Sequence, residues 1–347
     1  MRPIRAVELL IEKIKKDYPN DVSAVVVMGS ALYGDTHSRS DIDMYFVPKT
    51  ERAKALCFTF IIDGIGFDFW GISWERLARI AGREERIASI ITEGRPLYFG
   101  SDEDKARFEA LRKKALDTGD IGAFIKKADA KLDEAYRDYF KLSAAQTLSD
   151  ARKSALHLIY DVTDALALLN RTPVRRGRKR LKAEILAMSL VPENFSSLYD
   201  TVFYSGDIAK MRRAYGELLA NTQALVDREA QKASPPRAFG DAMDGFYEEL
   251  INCYNKIYRA CETGDPVTAL FAAVEMAHEI EQGFCSTGIS PAALPDLVGA
   301  YDQGGLPAFV AAAREHQLCF EALLDKQAVP VRTFADFDAL EKYLAAL

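Results

Sequence analysis

The sequence predicts an α+β fold, in which a small mixed β-sheet near the N-terminus is followed by an all-helical C-terminal region. Over the first hundred residues, short runs of β-branched and aromatic residues alternate with helical patterns. In the rest of the chain, apolar residues recur at helical spacing and strand signals become rare. We predict a catalytic domain over residues 1–105, a helical bundle over 106–232 and a second helical subdomain over 238–347, with a proline-rich break at 233–237.

Composition excludes several classes of protein. A chain of 347 residues with 49% hydrophobic and 28% charged residues can bury a core, which excludes disordered and disulfide-framework proteins. The net charge of −6 argues against a protein that coats nucleic acid. The five cysteines are widely spaced and form no C-x-x-C pair, so we expect reduced thiols and a cytoplasmic location. No apolar stretch is long enough for a membrane span, and the first residues predict an amphipathic helix rather than a signal peptide.

The N-terminal elements follow in order from periodicity and turn residues. Each predicted strand is short, β-branched or aromatic, and bounded by glycine or another turn residue. The predicted elements are a helix over residues 4–14, strands over 22–28 and 41–47, a hairpin of 56–62 with 66–72, a helix capped by Ser73 and a strand over 95–99. Farther along, Asp265 followed by proline predicts another helix start.

A strand ending in Gly29-Ser30 is followed by a pair of acidic residues, Asp41 and Asp43. Glycine lets the backbone approach a ligand closely, and amides in such a turn can point at an anion. Side chains at i and i+2 of a strand project from one face, so both carboxylates are expected at one spot while Ile42 packs behind them. Two adjacent carboxylates repel each other, and Mg²⁺ would keep both ionised.

A third acid, Asp68, interrupts the apolar run of a predicted strand. A lone carboxylate there would be costly unless it met a metal or a partner, and pairing of neighbouring strands would bring it to the face of the other two. The alternative is that Asp41 and Asp43 are turn or capping residues and that Asp68 is a buried acid with satisfied hydrogen bonds.

This ordered pattern of Gly29, Ser30, Asp41, Asp43 and Asp68 resembles the nucleotidyltransferase superfamily of the polymerase β type. The likeness covers roughly residues 20–100. Residues 93–98 also resemble the end of the catalytic domain in small bacterial members, the kanamycin nucleotidyltransferases and aminoglycoside adenylyltransferases, which carry a helical bundle after that domain.

The resemblance implies Mg²⁺-dependent transfer of a nucleoside monophosphate, which we expect to be AMP from ATP, to a hydroxyl of a small, aminoglycoside-like acceptor. Gly29 and Ser30 would hold the phosphates, and Asp41 and Asp43 would bind one or two Mg²⁺ ions. Asp68 would share the second metal or accept the proton of the attacking hydroxyl. The alternatives are transfer to a protein or tRNA, and a non-catalytic nucleotide-binding or antitoxin-like module.

Further nucleotide contacts are predicted on both sides of the acidic pair. Ser40 fits the serine that related enzymes place directly before the first aspartate, and Arg39 would reach a triphosphate unless it is a solvated loop residue. The basic stretch 171–182 would either connect helices in solvent or fold over the site, with Lys179 clamping the triphosphate. A nucleic-acid contact is not expected, because no aromatic residues interleave with these charges.

The helix predicted over residues 151–170 carries a polar stripe opposite its apolar face. Tyr160, Asp161 and Asp164 of this stripe are candidate acceptor-binding residues, because two acids would suit a cationic acceptor. The alternative is that the stripe is a solvated or interhelical polar face.

Overall fold

A mixed five-stranded sheet, followed by helices, confirms the predicted α+β fold. The computed structural model describes residues 2–34, 37, 39–233, 235, 237–285, 287–301 and 305–347. The chain divides into two units, residues 1–230 and residues 231–347.

The sheet lies in the first unit and has the strand order β3-β4-β2-β1-β5. Its strands are β1 (Val22–Val27), β2 (Met44–Pro48), β3 (Phe58–Ile62), β4 (Ile65–Gly71) and β5 (Arg95–Phe99). Only β2 and β4 pair in parallel; the other neighbours are antiparallel. This parallel pair determines which side chains lie beside the acidic residues before β2.

Helices cover both faces of the sheet at the interior strand β1, which is why all six of its residues are buried. Val25 and Val27 pack in the core beneath α1 (Arg2–Asp17). Ala24 and Val26 point to the other face, where α2, α3 and α4 complete a second core. These three helices are α2 (Trp74–Ala81), α3 (Ser89–Thr92) and α4 (Asp102–Leu116).

The hairpin and helix start predicted near the middle of this domain are confirmed. Asp63 and Gly64 join β3 to β4 with φ angles of 53° and 76°, the left-handed conformation that a two-residue hairpin turn needs. Ser73 caps α2 by accepting a hydrogen bond from the Arg76 N–H at 3.2 Å. The second strand, however, begins at Met44 rather than at residue 41, because its ladder with β1 ends at the pair of Val27 with Met44.

The rest of the first unit is a helical bundle in which α5 and α6 form the largest interhelical contact. Their facing residues, Leu132 and Leu158, are fully buried. The helices are α5 (Ile121–Ala144), α6 (Leu148–Leu169), α7 (Arg178–Leu186), α8 (Phe195–Tyr204) and α9 (Ile208–Ala233).

The second unit has its own hydrophobic core. Its helices are α10 (Phe239–Met243), α11 (Phe246–Thr263), α12 (Pro266–Phe284), α13 (Leu306–Lys326) and α14 (Phe337–Ala345). Asp265 caps α12 as predicted, and the buried Tyr254 hydroxyl lies 2.7 Å from His316 Nδ1. Within the described part of the chain, no helix has the length and apolar character needed to cross a membrane.

Candidate functional site

A short 3-10 turn, Gly29–Tyr33, follows β1 and begins the site. Gly29 has a φ of 70°, and a Cβ atom built on it would lie 2.0 Å from Asp43 Oδ2. Because only glycine lacks this atom, the backbone of the turn can lie directly against the Asp43 carboxylate. The Met28 N–H holds the two segments together by donating to the Asp43 carbonyl oxygen at 2.9 Å.

The two predicted acids beside this turn are both exposed and flank Ile42, which is 5% exposed. This alternation puts Asp41 and Asp43 on the same side of the chain, although neither belongs to β2. Loss of solvation raises the pKa of the Asp43 carboxyl, and the negative charge of Asp41 raises it further. The negative charges of the two carboxylates therefore repel each other, and a bound cation would reduce this repulsion.

Asp68 is exposed on β4, the parallel neighbour of β2. Tyr45 pairs with Trp70, and the residues two positions earlier in each segment are Asp43 and Asp68. Since residues two apart on a strand share a face, Asp68 lies on the same face of β4 as Trp70, whereas Asp43 lies just before the start of β2. Among the described residues, no three histidine, cysteine, aspartate or glutamate side chains are grouped so that they could hold a metal ion. A direct role for Asp68 therefore stays a prediction.

The other residues predicted near the nucleotide lie in the turn and in the loop before the acids. Ser30 is half-buried in the Gly29–Tyr33 turn. The Ser40 hydroxyl accepts a hydrogen bond from the His37 N–H at 2.9 Å, and the exposed Arg39 donates its N–H to His37 Nδ1 at 3.1 Å. Ser40 thus shapes the loop that leads into the acidic pair.

The basic stretch contributes a segment, residues 175–178, that we call the arginine segment. The Arg176 guanidinium lies 4.3 Å from the centre of the Tyr33 ring, at the end of the 3-10 turn. The Arg175 Nε atom lies 3.5 Å from Glu93 Oε1. The helical bundle therefore contacts the sheet-containing domain beside the predicted phosphate turn.

Arg178 is the first residue of α7, and its positive charge lowers the pKa of the Asp43 carboxyl, opposing the effects of burial and of Asp41. Its φ of 37° is left-handed, as is the φ of 49° at Gly177. Lys179, the predicted triphosphate ligand, is exposed at the next position. The sequence pointed to this basic stretch, but the residue that acts on Asp43 is one position earlier.

An open cavity of about 440 Å³ lies between α5 and α6. Two of the three predicted acceptor-binding residues, Tyr160 and Asp161, line it. The other lining residues are Arg86, Glu134, Arg137, Asp138, Lys141 and His157. Arg86 comes from the sheet-containing domain, and its guanidinium stacks 3.8 Å above the Tyr160 ring. The cavity is thus built by both parts of the first unit.

Carboxyl groups crowd one wall of this cavity. Burial raises the pKa of Asp161 to about 6, helped by the charges of Asp138 and Glu134 and by a hydrogen bond with Asp138. Asp138 is itself buried, and it accepts a hydrogen bond from Lys141 at 2.6 Å. The His157 ring lies 3.9 Å from the same carboxylate. An ammonium group entering the cavity would stabilise the ionised form of Asp161.

Asp164, the third predicted acceptor residue, lies one turn farther along α6 and is not part of the cavity lining. Burial raises its pKa to about 6, although the Lys131 ammonium lies 4.0 Å away and lowers it. The charges of Arg86 and the buried Arg83 act in the same direction as Lys131. This acid therefore faces the junction with the sheet-containing domain.

The sequence reasoning missed Glu184, Arg86 and Asp138, and each carries a weak signal at most. Glu184 is the first acid after the basic stretch 171–182. Asp138 and Arg86 lie in ordinary amphipathic or loop contexts, so their positions follow only from the packing of α5 on α6 and on the sheet-containing domain.

Comparison with known proteins gives one family match. Residues 105–232 match the family model described as the KNTase C-terminal domain. No curated protein matches the chain. Among solved structures, the chain is similar to a nucleotidyltransferase-like protein from Exiguobacterium sibiricum 255-15, with a TM-score of 0.39 and 12% identity over 68% of this chain and 84% of that one. At that TM-score we draw no argument from the likeness.

The family match falls on the helical bundle that follows the sheet, where the resemblance had implied a domain of this kind. It confirms the resemblance stated from the sequence over this part of the chain: residues 105–232 are similar to the KNTase C-terminal domain, which supports a nucleotidyltransferase-type protein.

Proposed function

We propose that the protein transfers a nucleoside monophosphate, AMP from ATP, to a hydroxyl of a small cationic acceptor in a Mg²⁺-dependent reaction. The observation that carries this proposal is the contact between Gly29 and the Asp43 carboxylate, with Asp41 on the same side. It joins a phosphate-binding turn to a pair of carboxylates, which is the combination that nucleotidyl transfer requires.

The residues at this point fit a magnesium ion. Mg²⁺ is commonly bound by one or two carboxylates, with substrate phosphates and water completing its octahedron, so Asp41 and Asp43 suffice as protein ligands. Burial and the charge of Asp41 raise the pKa of Asp43 despite the opposing charge of Arg178, so a bound cation would stabilise the ionised form of this carboxyl. When bound, the ion would neutralise charge on the α-phosphate and on the departing pyrophosphate. Asp68 is proposed as a further ligand or as the proton acceptor.

The triphosphate would lie between the turn and the arginine segment. Gly29 and Ser30 would offer backbone amides and a hydroxyl to its oxygens. Arg178 supplies a positive charge close to Asp43, and Lys179 and Arg39 are exposed nearby in sequence. Ser40 is proposed to act by shaping the loop that carries the two acids.

The acceptor would occupy the cavity between α5 and α6. Asp161 and Asp138 would bind an ammonium group, and the Tyr160 ring would pack against the acceptor. Asp164 is proposed to contribute negative charge from the adjoining turn. These features favour an aminoglycoside-like compound, which carries both hydroxyl and amine groups.

In the proposed reaction, the acceptor hydroxyl oxygen forms a bond to the α-phosphorus and the bond from that phosphorus to the β-phosphate bridging oxygen breaks. Pyrophosphate leaves with the bonding electrons. The hydroxyl proton passes to a carboxylate, for which Asp68 is the candidate, or to water.

The test measures pyrophosphate release and the mass of the product with ATP, Mg²⁺ and a panel of amino-hydroxyl compounds. We expect a product heavier than the acceptor by one adenylyl group (AMP less one water), and loss of the reaction with EDTA or in Asp43→Asn. Asp63→Asn is the matched control, because asparagine tolerates the left-handed turn at that position. Full activity of Asp43→Asn would contradict the proposal.

The same experiment separates the alternatives. Modification of an added protein or tRNA, with no small acceptor used, would favour a macromolecular acceptor. Stabilisation by Mg·ATP without turnover over the whole panel would favour a binding module.

A further inference from the structure

Glu184 of α7 makes an unusual pair of contacts for a half-buried helix residue. Its carboxylate accepts hydrogen bonds from two consecutive backbone N–H groups, those of Arg175 at 2.7 Å and Arg176 at 2.8 Å. Hydrogen bonds to a charged acceptor are among the stronger ones in proteins. The helix therefore folds back onto the segment that leads into it.

The arginine segment held in this way reaches two points of the catalytic domain. Arg176 packs over Tyr33, the last residue of the turn that begins with Gly29, and Arg175 lies 3.5 Å from Glu93. These contacts fix the segment against the predicted phosphate turn from the side of the helical bundle.

The backbone conformation of the arginine segment needs support from surrounding contacts. Gly177 and Arg178 are consecutive left-handed residues, with φ angles of 49° and 37°. For a residue with a side chain this conformation is costly and persists only where surrounding contacts impose it. Glu184 supplies two such contacts immediately before the left-handed pair.

We propose that Glu184 is a positioning residue for nucleotide binding. By holding the two N–H groups, it keeps the arginine segment across the Gly29–Tyr33 turn, so that the charge of Arg178 stays close to Asp43, where the polyphosphate of the nucleotide would bind. This inference rests on the proposed function, because it presupposes that the turn binds phosphates.

The test measures binding by calorimetry with three probes in the presence of Mg²⁺: ATP, inorganic pyrophosphate and adenosine. Glu184→Ala removes both acceptor atoms, whereas Glu184→Gln keeps one carbonyl oxygen. Glu51→Ala is the control, since Glu51 is an exposed glutamate paired with Lys54 outside the site. Melting temperatures of all variants are recorded alongside.

We expect Glu184→Ala to bind ATP and pyrophosphate about tenfold more weakly, with adenosine binding unchanged. Glu184→Gln should recover part of the loss, and Glu51→Ala should equal the wild type. Steady-state kinetics should show the change in KM for ATP rather than in kcat. Should Glu184→Ala unfold, Arg176→Gln provides the same readout, because it removes the contact with Tyr33 and leaves both bonds to Glu184 intact.

Two results would overturn the inference while leaving the proposed function standing. One is unchanged affinity of Glu184→Ala for both phosphate probes. The other is an equal loss for adenosine and ATP, which would indicate a general structural role. A wild-type protein that binds neither ATP nor pyrophosphate would instead overturn the proposed function and this inference with it.

Discussion

The Asp43 carboxylate occupies the space that a side chain on Gly29 would need: a Cβ atom at that position would lie 2.0 Å from Oδ2. The glycine that closes β1 and the acid that precedes β2 are fourteen positions apart, yet neither can change without affecting the other. The backbone at Gly29 and the carboxylate of Asp43 therefore belong to a single site.

Gly29→Ala should therefore abolish activity, whereas Gly34→Ala should not. Both glycines have a φ of 70°, so each substitution should cost about 1 kcal/mol of stability through the backbone alone. Only the first brings a Cβ into Asp43, since nothing lies within 4 Å of a Cβ at Gly34. Denaturant unfolding and AMP-transfer assays of the two variants check this. Equal activity in both would show that the contact is unimportant.

Arg178→Gln should weaken the binding of Mg·ATP more than Lys179→Gln does. Arg178 is the residue whose charge acts on Asp43, while Lys179 is exposed at the following position. A charged contact to phosphate predicts a rise of about tenfold in KM for ATP. Titration of both variants by calorimetry measures the difference. A larger loss in Lys179→Gln would restore the assignment made from the sequence.

Asp161→Asn should raise the KM for a cationic acceptor and leave the KM for ATP unchanged. The pKa of Asp161 is raised to about 6, so at pH 7 most of this carboxyl is ionised and able to bind an ammonium group. The wild-type KM for the acceptor should accordingly rise as the pH falls from 7 to 5. Asp133→Asn, on the exposed side of α5, is the control. Initial rates at varied acceptor concentration give the KM for the acceptor. Equal KM values in Asp161→Asn and Asp133→Asn would contradict the assignment.

Asp164→Asn should stabilise the protein more at pH 7 than at pH 4, relative to the wild type at the same pH. The pKa of Asp164 is raised from 3.8 to about 6 by burial, so the folded state holds a proton that the unfolded chain releases. The stabilisation from this neutral carboxyl is complete below pH 3.8 and is lost as the pH rises through about 6. Over that window the variant should gain on the order of 1–3 kcal/mol relative to wild type. Urea unfolding of both proteins at pH 4, 5, 6 and 7 measures this gain, and a difference independent of pH would contradict the shift.

The local elements could be predicted because short-range rules determine them. The Asp63-Gly64 hairpin and the capped helix starts at Ser73 and Asp265 depend on a few adjacent residues, and all three are as predicted. The start of β2 was predicted three residues too early, because the alternation around Ile42 continues beyond the point where pairing with β1 ends.

The sequence by itself determined the α+β class, the helical bundle and the glycine and acidic residues of the candidate site, because periodicity and turn chemistry are local properties of the chain. Tertiary structure alone decided that Arg178 acts on Asp43, that Glu184 holds the arginine segment, and that Asp138 and Arg86 join Asp161 and Tyr160 at the cavity. Those contacts join residues far apart along the chain, and no local rule encodes which side chains meet when helices pack.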